Sequence, residues 1–256
     1  MIHPTAVVDP GARLDEGVEV GPFAVIGPGV EIGFGTWIGP HAVVRGPTRI
    51  GRDNRIFQFA SVGEDPQDKK YGGEPTRLEI GDRNRIREYV TIHRGTAQDR
   101  GLTSIGDDNL FMVATHVAHD CRIGNQVIMA NAASLGGHVV VEDWAILGGF
   151  TIVHQFCRIG AHAFCAMGSM LTRDVPPYVT VGGHPAEPHG INSEGLRRRG
   201  FPAETIAGIK RAYRTVYVAG LKRDEALERV QALAVELPEV AAFASFIADS
   251  NRSIVR

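Results

Sequence analysis

Four histidines around the middle of the chain, His116, His119, His138 and His154, are the residues best suited to chemistry. A neutral imidazole titrates near pH 6.5, which makes it a natural general base around neutrality. Asp120 follows His119 directly and offers a carboxylate to orient it. The run Leu135-Gly-Gly-His138 offers backbone N–H groups, among them that of Gly137, that a substrate oxygen can approach closely. Together these parts suit acyl transfer to a hydroxyl. The same histidines, on neighbouring elements, would also suit a zinc ion. The segment His116-Val-Ala-His119-Asp120 fits both readings. A lone histidine is ordinarily a solvated edge residue, so the reading rests on whether the four converge.

Convergence depends on the scaffold. An aliphatic residue returns every six positions, as at Ile26, Ile32, Ile38, Val44, Ile50 and Ile56, and again from Ile123 through Met129, Leu135, Val141, Leu147, Val153 and Ile159. Neither the helix period of 3.6 nor a sustained strand period of 2 gives this pattern. A short strand plus a tight turn does, and such modules stack as a parallel β-helix. Three hexads make one triangular coil, so positions 18 residues apart sit on adjacent coils at roughly 4.8 Å. That arithmetic puts His119 beside Gly137, Asp120 beside His138 and Gly136 beside His154. The candidates therefore share one side of the prism over three coils. Glycines that follow the periodic residue, such as Gly33 and Gly81, suit corners needing positive φ or close backbone approach.

The register fails twice. Between Val62 and Ile80, Asp68 and Glu74 fall where aliphatics belong, and Glu64 to Arg77 is polar. Between Ile92 and Ile105 the phase slips by one residue across Gly95 to Ser104. Excursions near 64–79 and 95–104 are expected, and long departures from a regular scaffold are commonly functional or disordered. Past Leu171, Asp174-Val-Pro-Pro-Tyr178 ends the pattern, and Gly182, Gly183, Pro185 and Pro188 mark a linker. The prism is thus expected over 1–189. Over 190–256, Ile206, Ile209, Tyr213 and Val216, then Leu227, Val230 and Leu233, then Val240, Phe243 and Ile247 follow helical spacing. Two to four helices are expected there, with Pro202 and Pro238 in first turns.

The net charge of -2 gives no case for nucleic acid as the main partner. No apolar run is long enough to span a membrane, and a cytoplasmic location without stable membrane insertion is expected. Cys121, Cys157 and Cys165 form no CxxC pair, and Cys165 falls on a repeat position as a buried thiol.

Longer runs carry a closer resemblance. Ile50-Gly-Arg-Asp-Asn54, Gln58-Phe-Ala-Ser61, Gly73-Glu-Pro-Thr-Arg77, Val90-Thr-Ile-His-Arg-Gly95, Ala118-His-Asp-Cys121, Val153-His-Gln-Phe156 and Arg198-Arg-Gly-Phe201 resemble the bacterial UDP-N-acetylglucosamine O-acyltransferases of lipid A synthesis. The similarity covers nearly the whole chain. It implies a left-handed coil, a homotrimer, and transfer of a 3-hydroxyacyl group from acyl carrier protein to the glucosamine 3-hydroxyl, with no cofactor and no metal. It implies that His119 is the general base, Asp120 its orienting acid, and Gly137 the N–H donor to the thioester oxygen. His138, His116, His154 and Gln155 match other active-site positions. Gln67, Asp68 and Lys70 match sugar- and phosphate-side contacts, and Asn192, Glu194, Arg198 and Arg199 match nucleotide-binding positions. Arg197 to Arg199, Lys210, Arg211 and Arg214 are expected to dock the acidic carrier protein.

Met167 stands where some members have a glycine at the end of the hydrocarbon ruler, which implies a preference for acyl chains nearer ten carbons than fourteen. His184 stands where relatives often carry asparagine. Some members accept a 3-amino sugar, and the sequence leaves that choice open. Other repeat proteins remain as alternatives: a glucosamine N-acyltransferase, which usually carries an extra N-terminal domain, a histidine-zinc carbonic anhydrase, and a non-catalytic trimeric scaffold.

Overall fold

The computed structural model describes residues 1–235 and 237–256. Strands mostly two residues long form three sheets of nine, eight and ten strands, the three faces of a left-handed prism. A strand this short has no partner within its own coil. Its amides reach the neighbouring coil instead, as in Val7 N–H to Ala24 O and Val25 N–H to Ala42 O, both at 2.9 Å. The periodic side chains point inward: Ile38, Ile56, Ile86, Phe111, Met129 and Leu147 are fully buried. The ladder starts loosely, since Ile2 is 50% exposed and Val8 and Leu14 are half-buried.

Side-chain ladders reinforce one corner. Asn54, Asn84 and Asn109 are buried, each accepting an amide of the next coil, as Asn84 N–H donates to Asn54 Oδ1 at 2.9 Å. These links span 30 and 25 residues, against 18 in an uninterrupted coil. The first excursion therefore adds two whole hexads, which is why the register returns in phase. The second adds one residue more than a hexad, which is the slip seen in the sequence.

Both excursions are shorter than expected. Arg77–Ile80 and Leu102–Ile105 are strands paired with each other in register, so the chain has rejoined the prism by Arg77 and by Leu102. Their outward Arg77 and Glu79 look polar in sequence only because that face meets solvent. The expected linker is also structured. Val179–Gly183 joins the end of one sheet, and Ala186–Ile191 folds back on it antiparallel, carrying pairing two residues past the expected boundary. Glycine and proline there mark a hairpin rather than a tether.

Four helices follow: α1 (Ser193–Arg198), α2 (Ala203–Tyr217), α3 (Arg223–Ala234) and α4 (Pro238–Ala248). Pro202 is the N-cap residue of α2, and Pro238 opens α4. Ile209, Val216, Val230, Val240 and Phe243 bury the inner faces of the helices. Asp174 ties the tail to the prism: its Oδ1 accepts the Arg158 amide at 2.8 Å and its Oδ2 accepts Ser250 Oγ at 2.7 Å.

The repeat glycines act by close approach. A Cβ on Gly81 would lie 2.1 Å from Asp107 Oδ1 and 2.8 Å from Gly106 O of the next coil. Positive φ is supplied instead by corner residues such as Asp53, Tyr89, Asp120 and His138. Gly81→Ala should lower stability by about 1–3 kcal/mol through overpacking, whereas Gly72→Ala, whose Cβ would meet nothing closer than 3.6 Å, should be near neutral. Thermal melts of the two variants check this, and equal melting temperatures would contradict the account.

Candidate active site

One corner of the prism carries Asp120, His138 and Phe156 at the same place in three successive coils, with φ of 59°, 61° and 65°. The pairing of His116 with Ser134 and of Ser134 with Ile152 sets this stack. It also puts His138 N–H on His119 O at 3.0 Å. Left-handed φ is uncommon for residues other than glycine, with Asn, Asp and His enriched among those that adopt it.

His119 and Asp120 form a hydrogen-bonded pair, Nδ1 to Oδ2 at 2.9 Å, with the imidazole 14% exposed and the carboxylate fully buried. A carboxylate only accepts, so His119 Nδ1 carries the proton and Nε2 is left as a base. Thr96 completes the pair from the second excursion. Its amide donates to both Asp120 oxygens at 3.0 and 3.1 Å, and its Oγ1 donates to Oδ2 at 2.7 Å. Thr103 Oγ1 accepts the Asp120 amide at 2.8 Å. Burial alone would raise the Asp120 carboxyl, but the hydrogen bonds from His119 and Thr96 hold it below its ordinary value.

Gly137 lies against the His119 ring. A Cβ there would fall 2.5 Å from Cε1 and 2.7 Å from Nε2, so only glycine admits the imidazole. Among the described residues nothing accepts the Gly137 N–H, which leaves it as a donor beside the base.

His119, Asp120, Thr96 and His138 line a cleft of about 810 Å³ together with Gln67, Asp68, Lys70, Asp99, Arg122, Gln155 and Phe156. The first excursion is held there by buried Arg94. That guanidinium donates to Gly63 O at 2.6 Å, to Gly46 O at 3.1 Å and to Tyr71 Oη at 3.2 Å, and it pairs with Asp65.

Several sequence candidates lie elsewhere. His116 Nδ1 meets Thr91 Oγ1 at 2.7 Å, and its ring stands edge-on to buried His93 at 5.2 Å, behind the cleft. His154 is exposed, its Nδ1 near Gln155 O at 3.1 Å, and is not part of the lining. Met167 is 78% exposed on the turn before the strand Met170–Leu171. The tail residues dock on a different corner, built by Trp144, His162 and Tyr178. Asn192 caps α1 by accepting the Gly195 amide at 3.0 Å, and its Nδ2 donates to His162 O. Arg199 donates to Trp144 O at 3.0 Å, contacts His162 Nδ1 at 3.1 Å and covers the Trp144 ring. Glu194 pairs with Arg197 and Arg198 on the exposed side of α1.

Sequence reasoning missed Thr96, Asp99, Arg94 and Phe156. Phe156 was available, being 18 residues after His138. Thr96 and Asp99 lie in an excursion, where the interval gives no guide.

His119, Asp120 and His138 bring three ligand atoms within 4.8 Å of one another. Of the four histidines, only two join this group. A cation held by Asp120 would have to displace the hydrogen bonds from Thr96 and His119 that occupy its oxygens, so the donors present fit a proton-transfer pair better than a zinc site.

Residues 174–255 match the family described as UDP N-acetylglucosamine O-acyltransferase, domain 2. The chain is 63% identical over its whole length to the acyl-[acyl-carrier-protein]–UDP-N-acetylglucosamine O-acyltransferase of Halorhodospira halophila, covering 99% of it. The enzyme of the same name from Alkalilimnicola ehrlichii is 62% identical, with the same coverage. The solved UDP-N-acetylglucosamine acyltransferase of Francisella novicida superposes with a TM-score of 0.98 at 44% identity, over all of this chain and 94% of that one.

Burial, reinforced by His116, His119 and Arg94, pushes the His93 imidazole down to about 4. An unfolded histidine titrates near 6.5, so between pH 6.5 and about 4 the unfolded chain binds the extra proton and stability falls with pH. The melting temperature should therefore drop less steeply from pH 7 to pH 5 in His93→Phe than in the parent. Parallel slopes in scanning fluorimetry would remove His93 from the account.

With its full-length identity to the named enzymes and a superposable prism, the chain belongs to the acyl-[acyl-carrier-protein]–UDP-N-acetylglucosamine O-acyltransferase family.

Proposed function

We propose that this acyltransferase moves a 3-hydroxyacyl group from acyl carrier protein to the glucosamine 3-hydroxyl of UDP-N-acetylglucosamine, the first step of lipid A synthesis. The observation that carries the reading is the His119–Asp120 pair set against Gly137 in an open cleft. His119 Nε2 takes the hydroxyl proton as the sugar oxygen attacks the thioester carbonyl. The Gly137 N–H donates to the oxyanion that forms. Collapse breaks the carbon–sulfur bond, and the thiolate of the carrier leaves with the proton from His119. Asp120 stays ionised throughout and steadies the imidazolium. No cofactor enters these steps.

Gln67, Asp68 and Lys70 bind the sugar and phosphates from the first excursion, and His138 and Gln155 contact the substrate from the coil corners. His116 holds the wall behind the base, and His154 acts at the rim. Asn192, Glu194, Arg198 and Arg199 line no part of this protomer's cleft, so a nucleotide role for them calls for a second protomer. A homotrimer supplies one. It is supported by a stacked, exposed column of Phe23, His41, Phe59 and Tyr89, with ring spacings of 5.1 to 5.3 Å, and by exposed Phe150 and Ile152. Apolar surface of this kind favours burial against another chain. Arg197, Lys210, Arg211 and Arg214 offer positive charge to the acidic carrier. Among the described residues no helix is long and apolar enough to cross a membrane. The proposed donor and acceptor, a carrier protein and a nucleotide sugar, support a cytoplasmic reaction.

Mass spectrometry of products from UDP-N-acetylglucosamine and a panel of 3-hydroxyacyl carrier proteins tests the reading. His119→Ala should lower turnover by about 10²–10⁴, and full activity in that variant would refute general-base catalysis by His119. On the same panel the parent should favour chains nearer ten carbons than fourteen, and Met167→Gly should shift preference to longer ones. An unchanged profile would mean that Met167 does not end the groove.

A further inference from the structure

The second excursion brings a carboxylate to His138 that the sequence did not assign. Asp99 lies 39 residues earlier in the chain, and its Oδ2 is 3.0 Å from His138 Nδ1. Since a carboxylate accepts and cannot donate, His138 Nδ1 must carry the proton in this contact. Two neighbours fix the plane of the ring. Phe156 stacks on one face at 4.4 Å and 8°, and His119 stands edge-on at 5.1 Å and 89°. With the plane set by Phe156 and the spin set by Asp99, only Nε2 is left to face a ligand. It lies 3.9 Å from Asp120 Oδ2, beyond hydrogen-bond range. Among the described residues the ring has no other hydrogen-bond partner to set its rotation. Without Asp99, a half-turn about the Cβ–Cγ bond would exchange the two edges of the ring at little cost.

We propose that Asp99 is a positioning residue: its carboxylate sets the tautomer and rotation of His138 so that Nε2 is presented to the bound substrate. The proposal rests on the reading of His138 as a substrate contact. In its neutral form the ring so held offers a lone pair to the cleft, which suits a hydroxyl or amide N–H of an amino sugar. Asp99 itself is on the exposed loop, its side chain 29% accessible, so its loss leaves the prism intact. The second excursion thus grips the site twice, through Thr96 on Asp120 and through Asp99 on His138.

The test combines spectroscopy with kinetics on the full chain. In ¹⁵N-histidine-labelled protein, long-range correlation spectra should show His138 protonated at Nδ1 in the parent and shifted toward the Nε2–H form in Asp99→Ala. With UDP-N-acetylglucosamine and a 3-hydroxyacyl carrier protein, Asp99→Ala should lose about 5- to 20-fold in kcat/KM at an unchanged melting temperature. Asp99→Asn, whose carbonyl still accepts from Nδ1–H, should recover most of that loss. In a His138→Ala background the Asp99→Ala penalty should vanish, because the two act as one unit. A parent-like tautomer in Asp99→Ala, or an undiminished penalty without His138, overturns the role of Asp99. Parent-like kcat/KM in His138→Ala instead sinks the reading of His138 as a substrate contact, and the proposal falls with it.

Discussion

Every strand in the prism must find its hydrogen bonds on the coil above or below, and the rest of the molecule follows from that. A two-residue strand cannot satisfy its backbone locally, and buried amides left unpaired are costly. The ladder through Ala24, Ala42 and Ala60 carbonyls therefore locks each coil to its neighbours at a fixed interval. Inward aliphatics fill the interior as a consequence of the same interval. So does the stack of Asp120, His138 and Phe156, which no local preference would assemble. Precision at the site is inherited from the regularity of the backbone.

The site also depends on the two places where regularity stops. Asp120 is a buried carboxylate, and such a group is tolerated when donors replace its lost water. Three donors do so: the Thr96 amide, the Thr96 hydroxyl and His119 Nδ1. Two of them come from an excursion. The other excursion is anchored by Arg94, which sits within the prism wall and reaches Asp65 and Tyr71. Loops that would otherwise wander are fastened from below by side chains of regular coils. This is how a rigid scaffold lends fixed geometry to irregular segments.

The prism, its phase and its main corner residues were legible in the sequence because their signal is periodic. Stacking arithmetic placed Asp120 beside His138 and His119 beside Gly137, and the fold brings both pairs together. What the sequence hid was set by contacts without a period. Thr96 and Asp99 reach their partners across 24 and 39 residues, intervals fixed by loop shape. Arg199 was expected among the nucleotide-binding and carrier-docking cations, and its packing on Trp144 and His162 went unseen, because burial of a guanidinium stem is invisible in composition. The hairpin at Val179–Ile191 was hidden for a related reason. Glycine and proline punctuate hairpins and tethers alike, and only the free edge beside Phe164–Cys165 decides between them.

The left-handed corners have a further consequence. A glycine at Asp120 or His138 would relieve the backbone, and the chain forgoes that relief and keeps a carboxylate and an imidazole there. Other vertices, at Phe23, Tyr89 or Trp144, hold the same conformation with aromatic side chains outside the cleft. A vertex side chain is not part of the interior ladder, so its identity can change while the prism stays the same. Fold and chemistry are thus written in separate alphabets on one chain: the sixth residues spell the scaffold, and the vertices with their neighbours and the excursions carry the candidate site.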